Sequence, residues 1–204
     1  MPMSQATNIS KDLFDLITRA AYLAEVKEWD NHAHIERIRK YTFSIASGTE
    51  LSLQAAEVIA VAGMLHDIGK GQMPEALLSK PGHFEQHEWV AVEAHTINGA
   101  QILSGSTSHI LQIAETIALT HHERWDGSGY PHGLKGETIP LPGRIVALAD
   151  VFDALTSPRP YKEPVDYATG LQMIREASGK LFDPELVRIF SSKFTDIIRS
   201  IGSS

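Results

Sequence analysis

An all-α fold in a single compact domain is what the sequence predicts, on three observations. Apolar residues recur at spacings of three and four along nearly every segment, no stretch alternates convincingly at period two, and the chain has neither internal repeats nor low-complexity linkers. With 204 residues and 43% hydrophobic composition, the chain has the size of one large domain and can bury a substantial core.

The elements follow in order. Ser10 is the N-cap of an opening amphipathic helix with Leu13, Phe14, Ile17, Ala20, Ala21 and Ala24 on one stripe. A second helix carries Ile35, Ile38, Tyr41 and Ile45 inward, with His34 on the same face, and ends near Gly48. The third starts near Ser52 and is apolar nearly all round through Met64 and Leu65, as befits a central buried helix. The stretch HDIGK, His66 to Lys70, closes it, with Gly69 expected to stop the helix. Turns flank a short helix near Pro74 to Leu78, and a longer one carries Trp89, Val92 and His95. Ile110, Ile113, Ala114, Ile117 and Ala118 stripe the next helix and set His121 on its inner face at the C-terminal end. HHERWDGSGYPHGLKGETIPLPG has no period and reads as a long loop, of a length that in a compact domain is usually functional or disordered. Pro142 suits the first turn of a helix running through Ile145, Leu148, Ala149 and Phe152, which brings Asp150 into apolar company. Two helices finish the chain, one from near Asp166 to Gly179 and one capped by Asp183 ahead of Pro184.

Composition restricts the function. No run reaches the roughly 18 uncharged apolar residues of a membrane span. The first thirty residues lack the basic start, apolar stretch and small-residue cleavage site of a signal peptide, so a cytoplasmic protein without membrane contact is expected. With no cysteine, disulfide and thiolate chemistry are excluded, and any metal site must use His, Asp and Glu, which favours borderline or hard ions. A net charge of −7 argues against binding a nucleic-acid polymer, and a small anionic substrate would need local positive charge.

Taken singly, an inward-facing His or Asp is explained by a hydrogen-bonded core. His34, His66, Asp67, His95, His121 and Asp150 all fall at or near core-facing helix ends, where leaving each one unpaired would cost roughly 1–3 kcal/mol. A shared metal cluster satisfies them together. Imidazole and carboxylate suit Fe, Mn or Zn, and Asp67 is the natural bridge between two ions. Two bridged ions can hold a hydroxide nucleophile and clamp a phosphorus centre, so phosphoester hydrolysis leads. Lys70 would add a cation for the phosphate or the leaving oxygen, its plainer role being a charge at a helix end.

HDIGK, HTINGAQIL, HHERWDGSGYP and ADVFDALTSPRPYK, in that order, closely resemble the HD-GYP subgroup of the HD phosphohydrolase superfamily. The resemblance covers about Asp30 to Lys162, and the Gly129-Tyr130-Pro131 signature separates this subgroup from other HD enzymes. It implies a bacterial helical metal-dependent phosphodiesterase that hydrolyses cyclic di-GMP to linear pGpG and/or GMP with a metal-bridging hydroxide. The domain would then occupy residues 30–204, with residues 1–29 an N-terminal amphipathic helix packing on or leading into it. The implied metal ligands are His34, His66, Asp67, His95, His121, His122 and Asp150, of which the helical stripes had not reached His122. Lys70 is implied beside the scissile phosphate, Tyr130 in the substrate-side loop, and Arg159 and Lys162 in phosphate binding.

One departure bears on the metal count. Members with a third metal usually carry Glu-Thr-Gly-Asn before the first ligand His, whereas this chain reads Asp30-Asn31-His32-Ala33 before His34. Asp30 then takes the glutamate's place one methylene shorter, and two or three divalent ions, most naturally Fe or Mn, are expected. His32 is expected at the surface, and His83, His87, His109 and His132 are solvated or structural.

Two rival readings accompany cyclic di-GMP hydrolysis: a hydrolase of another cyclic dinucleotide such as cyclic GMP-AMP, and a catalytically silent sensor or partner-docking module. Degenerate members typically lack part of the ligand set, and here every core position is filled, which weighs against the silent reading. Further partners would be a regulatory domain, another protein or a second copy of the chain, and the opening helix suits core packing, signalling or a dimer seam.

Overall fold

Ser52 starts the central helix: its hydroxyl accepts the Ala55 N–H at 3.1 Å, and the chain runs from there into an apolar rod that is buried from Val58 to Gly63. The computed structural model describes residues 9–25, 31–78, 80, 84–158 and 163–202. In chain order the helices are α1 (Lys11–Ala24), α2 (Asn31–Ala46), α3 (Leu53–Gly63), α4 (Glu75–Leu78), α5 (Gln86–Leu103), α6 (His109–Thr120), α7 (Leu141–Thr156), α8 (Tyr167–Glu176) and α9 (Pro184–Gly202). Among the described residues there is no strand, only an isolated bridge between Ser178 and Phe182, and no helix is long and apolar enough to cross a membrane. The fold is all-α, as predicted.

Two apolar clusters share the interior. Tyr41 and Ile45 of α2 meet Phe152 of α7 and Phe190 of α9 in one, with the Tyr41 and Phe152 rings edge to face at 5.3 Å. Ile17 of α1, Ile35 of α2, Ile59 of α3 and Ile117 of α6 meet in the other. Helix α1 lies on that second cluster through buried Ile17 and Ala21, while Leu16 and Leu23 face outward.

The structure corrects the reading of Gly69. Helix α3 ends at Gly63, and HDIGK enters a separate 3₁₀ turn, Ile68–Gln72, that packs on α5. A Cβ at Gly69 would lie 1.9 Å from the His95 carbonyl oxygen and 2.5 Å from the Gly99 nitrogen. The glycine therefore permits close approach of two backbones rather than ending a helix.

The long loop after α6 is fastened to the body. Trp125 and Asp126 N–H donate to the Leu181 and Lys180 carbonyls at 3.1 and 2.9 Å, Ile139 is buried, and the Arg144 guanidinium covers the Trp125 ring at 5.8 Å.

Candidate metal centre

Five segments of the chain deliver the polar side chains to one place. His34 comes from the first turns of α2, His66 and Asp67 from the turn after α3, His95 from the middle of α5, His121 and His122 from the end of α6, and Asp150 from α7. All are buried except His122 and Asp150, which are partly exposed.

The four buried histidines are oriented alike. Nδ1 of His66 lies 3.0 Å from the Gly63 carbonyl, Nδ1 of His121 lies 3.1 Å from the Ile117 carbonyl, Nδ1 of His95 faces the Val92 carbonyl, and Nδ1 of His34 lies 2.7 Å from Asp153 Oδ2. Carbonyl and carboxylate oxygens only accept, so each Nδ1 carries a proton and each Nε2 is turned to the centre. In three of the four the acceptor is the carbonyl three or four residues back, so the helical backbone itself sets the ring. This is how metal-binding imidazoles are held.

Asp67 stands between two sets of these nitrogens. Its Oδ1 is 3.2 Å from His95 Nε2 and 3.6 Å from His121 Nε2, while its Oδ2 is 3.2 Å from His66 Nε2 and 2.6 Å from Lys70 Nζ. His66 Nε2 lies 3.9 Å from Asp150 Oδ1. Asp67 Oδ1 and His66 Nε2 are sealed from solvent yet make no hydrogen bond among the described residues. Convergent, poorly aligned lone pairs of this kind fit cations. Two buried groups have the ligand atoms to hold one, Asp67 with His95, His121 and His122, and Glu25 with His34 and His66, the atoms of each group lying within 4.8 Å of one another.

Electrostatics supports that fit. Burial pushes the His121 and His122 pKa values down, so both present neutral imidazoles. Burial would raise Asp67, but Lys70 and His66 outweigh it and hold the carboxylate ionised well below its usual range. Burial disfavours charge on His66, but contact with the Asp67 charge reverses this and lifts its pKa to about 10, so a metal ion binding there would have to displace the Nε2 proton. Glu25 is raised to about 7, first by burial and then by the nearby Asp67 charge.

Tyr130 roofs the centre. Its ring lies 4.8 Å from that of His122 at 30°, and its N–H donates to the His122 carbonyl at 3.2 Å. The chain folds back this tightly because Gly129 has no side chain: a Cβ there would sit 2.4 Å from the Arg124 nitrogen and 2.5 Å from the His122 oxygen. Burial raises the Tyr130 pKa, so the phenol stays protonated.

The residues expected to form the centre are thus largely brought together: His34, His66, Asp67, Lys70, His95, His121, His122, Tyr130 and Asp150. Asp30, Arg159, Lys162 and His83 lie outside the described residues. His87, His109 and His132 are exposed, and His32 is an exposed ring tilted against Tyr22 with centroids 3.6 Å apart, in keeping with the surface role expected for it.

Three acidic residues escaped the sequence reading. Asp153 orients His34 and accepts from Arg37. Its signal was its place one turn beyond Asp150 on the same helix. Glu123 accepts the His132 and Leu134 N–H groups at 2.8 and 2.9 Å and so ties the Tyr130 loop; it follows the His-His pair directly. Glu25 gave no signal, since it ends an amphipathic helix where a polar residue is ordinary.

A model of the HD domain matches residues 15–186. The chain belongs to the HD domain family. Within it, the HDIGK stretch and the Gly129-Tyr130-Pro131 loop are those of the HD-GYP subgroup. Curated relatives of this HD-GYP chain include a cyclic di-GMP phosphodiesterase of Thermotoga maritima, 44% identical over 190 residues and 92% of this chain, and a 3′3′-cGAMP-specific phosphodiesterase of Vibrio cholerae, 38% identical over 184 residues and 90% of this chain. The HD-GYP chain spans 52% and 35% of their respective lengths. Among solved structures, a cyclic GMP-AMP-specific phosphodiesterase of V. cholerae superposes with a TM-score of 0.68 at 20% identity, covering 93% of this chain and 50% of that one. An HD-GYP protein of Bdellovibrio bacteriovorus gives 0.61 at 17% identity, with 90% and 63% covered. Both support the helical fold.

Proposed function

We propose that this HD-GYP chain is a metal-dependent phosphodiesterase acting on a cyclic dinucleotide, cyclic di-GMP first, with linear pGpG and/or GMP as product. The observation that carries this is Asp67, whose two oxygens face different buried histidines, His95 on one side and His66 on the other, at 3.2 Å each. A carboxylate so placed suits a shared bridge between cations.

His66, Asp67, His95, His121, His122 and Asp150, joined by His34, would hold two or three divalent ions, with Fe or Mn suiting this nitrogen and oxygen donor set. Bound there, such ions supply Lewis-acid polarisation of a phosphodiester and a hydroxide nucleophile near neutral pH.

The protein's own groups do the rest. Lys70 Nζ, at the rim with its side chain 21% exposed, presents a cation where an anionic phosphate arrives. Tyr130, kept protonated, covers the centre beside His122 and offers an aromatic face and a hydroxyl donor to the ligand. Arg159 and Lys162 are proposed to add phosphate contacts, which with Lys70 offset the net charge of −7.

The 3′3′-cGAMP reading is kept because a relative named for that specificity matches 90% of the chain. A silent sensor is disfavoured, because the ligand residues converge instead of being lost.

The test is elemental analysis of protein purified without air or chelator, paired with chromatography after incubation with cyclic di-GMP or 3′3′-cGAMP. Two or three ions per chain with pGpG or GMP appearing, and neither metal nor product in Asp67→Ala, is the expected result. Metal without product from either dinucleotide would overturn the enzymatic reading.

A further inference from the structure

Beyond Asp67, on the side of His66, lies a second group of donors drawn from three different elements. Glu25 is the C-cap of α1 and is 2% exposed, with its N–H donating to the Ala21 carbonyl at 3.3 Å. His34 belongs to α2 and His66 to the turn after α3. Glu25 Oε2 lies 3.6 Å from His34 Nε2, and the three ligand atoms lie within 4.8 Å of one another. Both imidazoles are committed at Nδ1, one to Asp153 and one to Gly63, which leaves Nε2 as the inward nitrogen of each, 3.6 Å from Glu25 Oε2 in His34 and 3.2 Å from Asp67 Oδ2 in His66.

We propose that Glu25, with His34 and His66, binds one divalent ion of the centre, and that this ion clamps the end of α1 to the catalytic body. The proposal rests on the metal-dependent reading above. It departs from the family pattern, in which the carboxylate precedes the first histidine in the turn; that position here is Asp30. Two imidazoles and one carboxylate with open positions suit Fe(II) and, less selectively, Mn(II) or Zn(II). The consequence is mechanical. Among the described residues α1 packs on the body through one apolar face, Ile17 and Ala21 with the partly buried residues around them, while Leu16 and Leu23 are 63% and 74% exposed. A bond from its C-cap residue to an ion shared with α2 and the turn after α3 links helix docking to metal loading. Linkage is reciprocal: whatever pulls α1 away lowers affinity for that ion, and loss of the ion loosens α1.

The experiment counts metal per chain in wild type, Glu25→Gln and Asp30→Asn, and measures amide hydrogen exchange of residues 11–24 in loaded and chelator-treated wild type. Expected are one ion fewer in Glu25→Gln, an unchanged count in Asp30→Asn, and at least tenfold faster exchange of α1 after chelation. An unchanged count in Glu25→Gln, or loss of the ion in Asp30→Asn instead, overturns the proposal while leaving the metal-dependent function standing. If wild type itself carries no metal, the functional reading fails first. Should Glu25→Gln not fold, the exchange measurement on wild type decides alone, and α1 protection that ignores chelation defeats the clamp.

Discussion

Asp153 Oδ2 and His34 Nδ1 are 2.7 Å apart across 119 residues of sequence, joining α7 to the first turns of α2. The same carboxylate accepts from Arg37 Nε and from the Ser157 hydroxyl, so one buried acid fixes both the tautomer of a candidate metal ligand and the charge of a neighbouring guanidinium. Asp153→Asn removes the charge and breaks a largely buried ion pair with Arg37. Denaturant unfolding should show a loss of about 3 kcal/mol, the scale for breaking a buried ion pair. Metal titration should show affinity lower by about 10–100-fold. A variant with wild-type metal affinity would reduce Asp153 to a structural residue.

The same contact predicts an acid response. Burial would raise the Asp153 pKa, but the hydrogen bonds from His34 and Arg37 outweigh it and hold the carboxyl below its ordinary range. A depressed folded value contributes stability that is present above the unfolded pKa, about 3.9, and is lost as pH falls through the folded one. The stability gap between wild type and Asp153→Asn should therefore narrow as pH falls below about 4. Melting temperatures from pH 5 downward check it, and a gap that widens below about pH 4 would contradict the assigned sign.

Gly69→Ala should damage the centre from a residue with no polar side chain. Its Cβ would meet the backbone of α5 at His95 and Gly99, which has no flexible end to yield, so the turn carrying Asp67 must move away from His95. A loss of about 1–3 kcal/mol, typical of overpacking, should accompany a fall in metal content. Gly71→Ala is the control, because nothing lies within 4 Å of its Cβ, and it should change neither.

Glu123→Ala should separate substrate handling from metal loading. Two backbone N–H groups, of His132 and Leu134, lose their acceptor, at about 1–3 kcal/mol for each left unsatisfied. The loop bearing Tyr130 loosens while the Nδ1 partners of His66, His95 and His121 stay in place. Metal content should hold and KM should rise. Lost metal with unchanged KM in the remaining active fraction would move Glu123 into the ligand scaffold.

Lys70→Ala should leave metal bound and slow turnover by about 100-fold, the usual scale for one electrostatic stabiliser. Because Lys70 Nζ sits 2.6 Å from Asp67 Oδ2, metal content must be measured on the same sample. Unchanged turnover would take Lys70 out of catalysis.

What the sequence by itself determined is whatever repeats along the chain. The 3.6 period of apolar residues set the helices, and because His34 and His121 fall on those inward stripes and HDIGK ends one, their arrival in the core was readable without coordinates. Motif order did the same for His122 and Tyr130, which no stripe could reach.

Only the tertiary structure decided the relations that cross elements. Gly69 looks like a helix stop until α5 is seen lying against it, since a steric limit imposed by a distant backbone leaves no local trace. Asp153 and Glu123 are ordinary acids on a helix and in a loop until their partners, many residues away, give each a single task. Glu25 is the sharpest case. On the sequence it is one polar residue near the end of an amphipathic helix, and it becomes a buried donor because the packing of Ile17 and Ala21 fixes where α1 stops, and it stops beside His34 and His66.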